Sequence, residues 1–282
     1  SKNWIIMGRG KTIQIFLPDG SANGIKLAEI TSAIEKAILI PRNNLQEAVK
    51  RKETSQEGIY FLFGTDDERA KPLVYIGQTK EGIKRIKNHD QNKDFWNYAI
   101  LIISKTKSFT KTHIEFLEEL TIRMAKEANR FEFENNVSPK HYIIPESLEA
   151  DLLDSFDTIK ILTTTLGFPL FETNIKTINN FYLKGRGVTA EGNFTNEGFI
   201  VYSGSQVKKE ATPSCHSYII NKRRMLLTNN ILSEHIDYYQ FEEDFIFDSC
   251  STAGGVILGR STNGWTAWKN KDGETLDEVK RK

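Results

Sequence analysis

The sequence predicts a mixed α+β chain: a small antiparallel sheet flanked by helices, a second α+β domain after it, and a small β-rich element in front. Three observations carry this expectation. Two short alternating runs, 58–65 and 73–77, are separated only by the polar loop 66–71, and a connection that short makes neighbouring strands antiparallel. Residues 112–129 space their apolar side chains as an amphipathic helix does. From about residue 175 the pattern changes to short strands mixed with helices.

The elements follow in order. Residues 12–17 (TIQIFL) alternate as a strand and stop at Pro18-Asp19-Gly20, a turn signal. Residues 25–30 and 36–40 read as two more strands, the first with some helical character, and 43–51 as a short helix after Pro41. In 58–65, Ile59, Phe61 and Phe63 share one face and Tyr60 and Leu62 the other. In 73–77, Val74 and Ile76 oppose Leu73 and Tyr75, so each tyrosine lies opposite the larger apolar set. A helix over 80–91, a strand over 98–104 and the long helix 112–129 follow, the last with Thr110 or Thr112 as N-cap. Pro145 breaks the chain before a helical connector that ends at Gly167-Phe168-Pro169. Further on, strands are expected at 180–184 and 198–203, a helix at 216–232, a small-residue helix at 251–258 and a terminal strand after Gly264-Trp265. The expected domains are therefore 1–54, 55–145, the connector 146–170, and 171–282.

Composition sets the outer limits. A chain of 282 residues with 39% hydrophobic and 27% charged residues has the make-up of a globular protein with room for two cores. No apolar run approaches the roughly 20 residues that span a bilayer, so no membrane partner is expected. The opening Ser1-Lys2-Asn3-Trp4 lacks signal-peptide architecture. Cys215 and Cys250 are too few for a disulfide framework and read as small buried hydrophobes, which suits a cytoplasmic protein. A net charge of +1 does not announce a nucleic-acid partner. The charge is clustered, however. Lys80, Lys84, Arg85, Lys87 and Lys93 stand together against Glu81 and Asp90, and Lys208-Lys209 and Lys222-Arg223-Arg224 form later clusters.

One ordered constellation suggests chemistry. Gly58-Ile59-Tyr60 is followed by Tyr75-Ile76-Gly77, then Arg85 ten positions after Tyr75 (85 − 75), His89 fourteen after it (89 − 75), a glutamate on the long helix, and an asparagine. By periodicity alone the tyrosines are half-buried strand residues, and Arg85 and His89 are solvated on one side of their helix. On the long helix Ile114, Leu117, Thr121, Ala125 and Ala128 form the buried stripe. Glu118 borders that stripe, whereas Glu119 lies across from it with Arg123 at i+4, a solvated ion-pair arrangement. A carboxylate beside buried surface is costly unless a cation neutralises it, so Glu118 is the metal-ligand candidate.

Over about residues 56–140 this order resembles the GIY-YIG nuclease family. The resemblance implies metal-dependent hydrolysis of phosphodiester bonds, of DNA ahead of RNA. It implies Glu118 as ligand to Mg²⁺ or Mn²⁺, Tyr60 as general base, Arg85 as phosphate clamp, and Tyr75 and His89 as groups that orient water or phosphate. Asn135, or its neighbour Asn136, would hold the phosphate or the surroundings of Glu118. Lys84 and Lys87, with Lys208, Lys209, Arg223 and Arg224 later in the chain, are the candidate nucleic-acid contacts. A competing reading is a nuclease-like scaffold that only binds nucleic acid or protein, and a third is one component of a restriction or phage-defence system.

The C-terminal part, about 181–276, resembles an uncharacterised domain family that follows such nucleases. The resemblance rests on Glu197-Gly198-Phe199-Ile200-Val201 with Gly204-Ser205, on 249–259, and on Arg260 through Trp265 to Trp268-Lys269. It implies no activity, so substrate or partner recognition is the expectation for this part. Ser251 to Gly255 suit close helix packing, since no Walker-type Lys-Ser/Thr follows them. Trp265 and Trp268 read as core residues before base-stacking ones.

Overall fold

The computed structural model describes residues 10–135, 142–173 and 180–281. They divide into a unit that runs to Asp66 and resumes over Lys71–Thr173, and a second that takes up Asp67–Ala70 and the described residues from 180 onward. Both are α+β, and no helix among the described residues is long and apolar enough to cross a membrane.

In the first unit β1 (Ile13–Phe16), β2 (Lys26–Ile30) and β3 (Glu35–Pro41) form an antiparallel meander. A short 3-10 turn and helix α1 (Leu45–Val49) follow. Next come β4 (Gly58–Gly64), β5 (Leu73–Thr79), helix α2 (Ile83–Asp90), β6 (Trp96–Ser104), helix α3 (Lys111–Ala128), β7 (Glu132–Phe133) and helix α4 (Glu146–Thr165). Their sheet has the order β1-β2-β3-β6-β4-β5-β7. The run expected to be a separate N-terminal element therefore continues the sheet, because β3 pairs along its whole length with β6.

Strand period explains both layers. Phe61, Phe63, Val74, Ile76, Ile100 and Ile102 face a core closed by α3 and α4. Tyr60, Leu62, Ala99, Leu101 and Ile103 face a second core that includes Ile83 and Ile86 of α2. Strand β6 is apolar on both sides because both faces are covered. Helix α4 is no mere connector. Its Leu152, Phe156, Ile159 and Leu162 are core residues, and so are Leu170 and Phe171 beyond it.

In the second unit β8 (Phe181–Gly185), β9 (Val188–Thr195), β10 (Gly198–Val201) and β14 (Phe245–Phe247) form one sheet in the order β14-β10-β9-β8. A smaller sheet joins β11 (Gln206–Lys208), β13 (Tyr238–Phe241) and β12 (Leu232–Glu234). The helices are α5 (Ser217–Thr228), α6 (Cys250–Leu258), α7 (Gly264–Ala267) and α8 (Leu276–Arg281). Helix α5 stops four residues before the expected end (232 − 228), where Asn230 takes a left-handed φ of 58°. The small residues of α6 serve packing, since a Cβ at Gly255 would sit 2.9 Å from the Ile219 side chain on α5. Trp268 is fully buried beside Phe199, and both cysteines are buried and free.

The expected terminal strand is instead a helix, α8. Thr275 and Glu278 cap it reciprocally, for the Thr275 N–H donates to Glu278 Oε2 and the Glu278 N–H to Thr275 Oγ1. Only isolated bridges at Lys269 remain of the strand.

Gly58 shows how tightly the first sheet is drawn together. A Cβ there would lie 2.1 Å from the Ile102 carbonyl oxygen on β6. Gly58→Ala is thus expected to cost about 3 kcal/mol of stability through overpacking, read as a lowered urea midpoint. An unchanged midpoint would show that the two strands separate without penalty.

Candidate active site

Tyr60 and Tyr75 lie on the same face of β4 and β5, the face that α2 covers. Tyr60 is paired across the strands with Gly77, and its ring occupies the space a side chain at Gly77 would need. A Cβ at Gly77 would meet the Tyr60 hydroxyl at 2.5 Å. The tyrosine rings are stacked with centroids 6.1 Å apart.

Helix α2 brings the next two residues. It begins three residues later than expected (83 against 80) because Gly82 adopts a φ of 56° and Thr79 closes the turn with its hydroxyl. Ile83 and Ile86 then anchor α2, and His89, one turn on, is buried rather than solvated. The Tyr60 hydroxyl and His89 Nε2 are 2.8 Å apart. Arg85 stays exposed on α2, and its charge acts on the same Tyr60 hydroxyl. Lys93 completes the group with its ammonium 4.7 Å from the centre of the Tyr75 ring.

The charges follow from burial. Desolvation pushes the Tyr60 hydroxyl well above the usual tyrosine range, and Tyr75 adds to this while Arg85 opposes it. Burial, then the Arg85 and Lys93 charges, push the His89 imidazole down to about 4. At neutral pH His89 is uncharged, so with its proton on Nδ1 the ring can accept from Tyr60.

Glu118 and Asn135 come to the outer edge of β5. On its outer side that strand pairs with β7 at Leu73 and Val74, and beyond them its outward backbone groups have no strand partner among the described residues. The Asn135 amide takes up Ile76, with Nδ2 donating to the Ile76 carbonyl at 2.7 Å and Oδ1 facing the Ile76 N–H at 3.5 Å. Two residues on, Gln78 Nε2 donates to Glu118 Oε2 at 3.0 Å. Burial raises the Glu118 carboxyl above the usual carboxylate range, opposed by the side chain and backbone of Gln78, with the Glu115 charge adding to the rise. No basic side chain pairs with Glu118 among the described residues.

The expectation for helix α3 changes here. Glu119 is buried, not solvated, although it does pair with Arg123 at 3.5 Å. Helix α3 buries Phe116 and Leu120 as well as the expected stripe, so its covered arc is wider than one face. Asn135 directs its amide to the backbone of β5 and not outward, while Asn136 lies outside the described residues. The sequence reading also passed over Gln78 and Tyr142. Gln78 was signalled by being a polar residue on the apolar side of β5. Tyr142, whose hydroxyl feels the Glu115 and Glu118 charges, carried no signal.

The basic residues divide. Lys84 and Arg224 are exposed and Lys87 is half-buried. Lys208 and Lys209 are paired with Glu210 and Glu234 at 3.3 and 2.8 Å. Arg223 is buried, donating to the carbonyls of Lys208 and Lys209. A buried guanidinium engaged with its own backbone is not a nucleic-acid contact.

Among known families, residues 181–280 match one described as "Domain of unknown function (DUF4357)". Comparison with curated proteins and with solved structures gives no match for the chain.

The depressed His89 value has a direct test. In an NMR titration of the folded chain the His89 ring should titrate near 4 and not near the unperturbed 6.5 or so. Lys93→Gln should move it upward. Since the folded value lies below the unfolded one, the associated stability is present above about 6.5 and is lost as pH falls towards 4. A wild-type midpoint near 6.5 would contradict the buried, uncharged imidazole.

Proposed function

We propose that this chain is a metal-dependent nuclease of the GIY-YIG type, acting on DNA ahead of RNA, with the second unit serving recognition. The observation that carries the reading is the buried hydroxyl of Tyr60, which meets His89 Nε2 at 2.8 Å and lies within the influence of the Arg85 charge. Glu118 supports it from the edge of the adjacent strand.

Each residue has a chemical role in this reading. Tyr60 takes the proton of the attacking water while its own passes to His89 Nε2. A neutral imidazole is required for that transfer; burial, then the Arg85 and Lys93 charges, keep His89 neutral, and the Arg85 charge also favours the tyrosinate as it forms. Arg85, which stays protonated, holds the non-bridging oxygens of the phosphodiester. Tyr75 and Lys93 form the wall beside His89. Asn135 keeps the edge of β5 in place for Glu118.

Glu118 fits a Mg²⁺ or Mn²⁺ ligand. Its carboxyl is half-buried, receives only amide donors from Gln78, and has no cation partner among the described residues. Among those residues no three of His, Cys, Asp and Glu gather to hold a metal. A single carboxylate suits a cation that keeps most of its waters. Bound there, the cation would supply Lewis-acid stabilisation of the phosphate and the leaving oxygen.

The experiment is incubation with supercoiled plasmid, linear duplex, single-stranded DNA and RNA, in Mg²⁺ or Mn²⁺ and in EDTA. Cutting should require the metal. Tyr60→Phe and Glu118→Gln should each lower it by about 100-fold or more without unfolding the chain. Glu119→Gln should cut at near-normal rate and lower stability instead, because Glu119 is buried. Absence of metal-dependent cutting on every substrate would favour the non-catalytic scaffold.

A further inference from the structure

The basic side chains of the second unit sort into two kinds. Lys208, Lys209, Arg186 and Arg223 are spent on carboxylates or backbone carbonyls. Lys184, Lys269 and Lys271 are exposed, make no ion pair among the described residues, and line one pocket of about 580 Å³ with Tyr182 and Ala267. No carboxylate is part of that lining among the described residues.

The platform is locked. The Tyr182 N–H donates to the Lys269 carbonyl at 2.7 Å, and the Lys269 N–H returns a bond of 3.0 Å, which fastens the lysine-bearing segments together. Beyond Lys271 the turn is closed by Asn270, whose Oδ1 accepts from the N–H groups of Asp272 and Glu274, and by Gly273 at a φ of 84°. Asn270 Nδ2 also engages the Glu274 carboxylate at 2.8 Å. Three like charges on a fixed frame repel one another, and a polyanion relieves that repulsion.

We propose that this pocket binds a single strand of nucleic acid, with Lys184, Lys269 and Lys271 on its phosphates and the Tyr182 ring available to a base. The volume falls within the range of small-ligand sites and accepts a nucleotide-sized group. A cationic groove with an aromatic ring is the chemistry that holds single strands without reading their sequence. Lysines are point charges with no bidentate geometry, so contact is made with the backbone and not with base edges. The choice of nucleic acid among polyanions rests on the nuclease reading; the anion site itself does not.

The test is fluorescence anisotropy of the full-length chain with a short fluorescein-labelled single-stranded oligodeoxynucleotide, in EDTA and over a range of salt. Lys184→Gln/Lys269→Gln/Lys271→Gln should weaken binding at least about tenfold and make the dependence of log K on log salt shallower by about two, at about 0.7 per phosphate contact. The corresponding triple arginine variant should bind as wild type, which separates loss of charge from loss of fold. Lys208→Gln/Lys209→Gln should bind within about twofold of wild type, since both lysines are already paired. Unchanged binding in the triple glutamine variant across salt would overturn the proposal. Competition by polyglutamate as effective as by unlabelled oligonucleotide would overturn it in favour of an acidic protein surface. Failure of Tyr60→Phe and Glu118→Gln to affect cutting would sink the nuclease reading alone, because binding in EDTA does not depend on cleavage.

Discussion

The Tyr60 ring rests where a side chain at Gly77 would otherwise be, and the rest of the candidate site is set by that contact. With glycine opposite, the ring has room beside β5 and meets Tyr75 and His89 of α2 at once. Any larger residue at 77 would lift the ring and part its hydroxyl from His89. The same hydroxyl is deeply buried, so losing its partner would leave an unsatisfied group at a cost of about 1–3 kcal/mol. Packing and polar satisfaction thus demand the same geometry, and the position of α2 follows from it.

Much of this site was legible because strands have a period of two. Alternation assigned Tyr60 and Tyr75 to one face before any pairing was known, and Gly58 and Gly77 stand where a neighbour leaves no room for a side chain. The helix α3 was harder to read. A wheel drawn for one buried stripe put Glu119 in solvent, yet α3 is covered over a wider arc, as Phe116 and Leu120 show. Periodicity alone leaves His89 in solvent for a related reason, because nothing local reveals that a short helix turns its last turn inward over a strand tyrosine. The end of the sheet was invisible too. That β3 pairs with β6 depends on contacts between 57 (98 − 41) and 69 (104 − 35) residues apart, which local pattern does not encode.

The second unit gives the opposite lesson about charge. In sequence, adjacent Lys208-Lys209 and Arg223-Arg224 stand out, whereas Lys184, Lys269 and Lys271 are scattered. In the fold the conspicuous lysines meet carboxylates and Arg223 is buried, while residues almost ninety positions apart (271 − 184) come to line one pocket. Clustering along a chain measures local composition. Availability to a ligand depends on what the fold has already paired, as Glu210 and Glu234 show.

The way β5 ends its sheet has a consequence for solubility. An edge strand offers a row of backbone donors and acceptors on which a strand of another molecule can build. Beyond its two-residue pairing with β7, this edge is met among the described residues by side chains: the Asn135 amide mimics a neighbouring peptide at Ile76, and Glu118 accepts from the Gln78 side chain. A carboxylate at that place also repels any approaching carbonyl oxygen. The residues that shape the reactive edge are therefore also those that stop the sheet from growing into the next molecule.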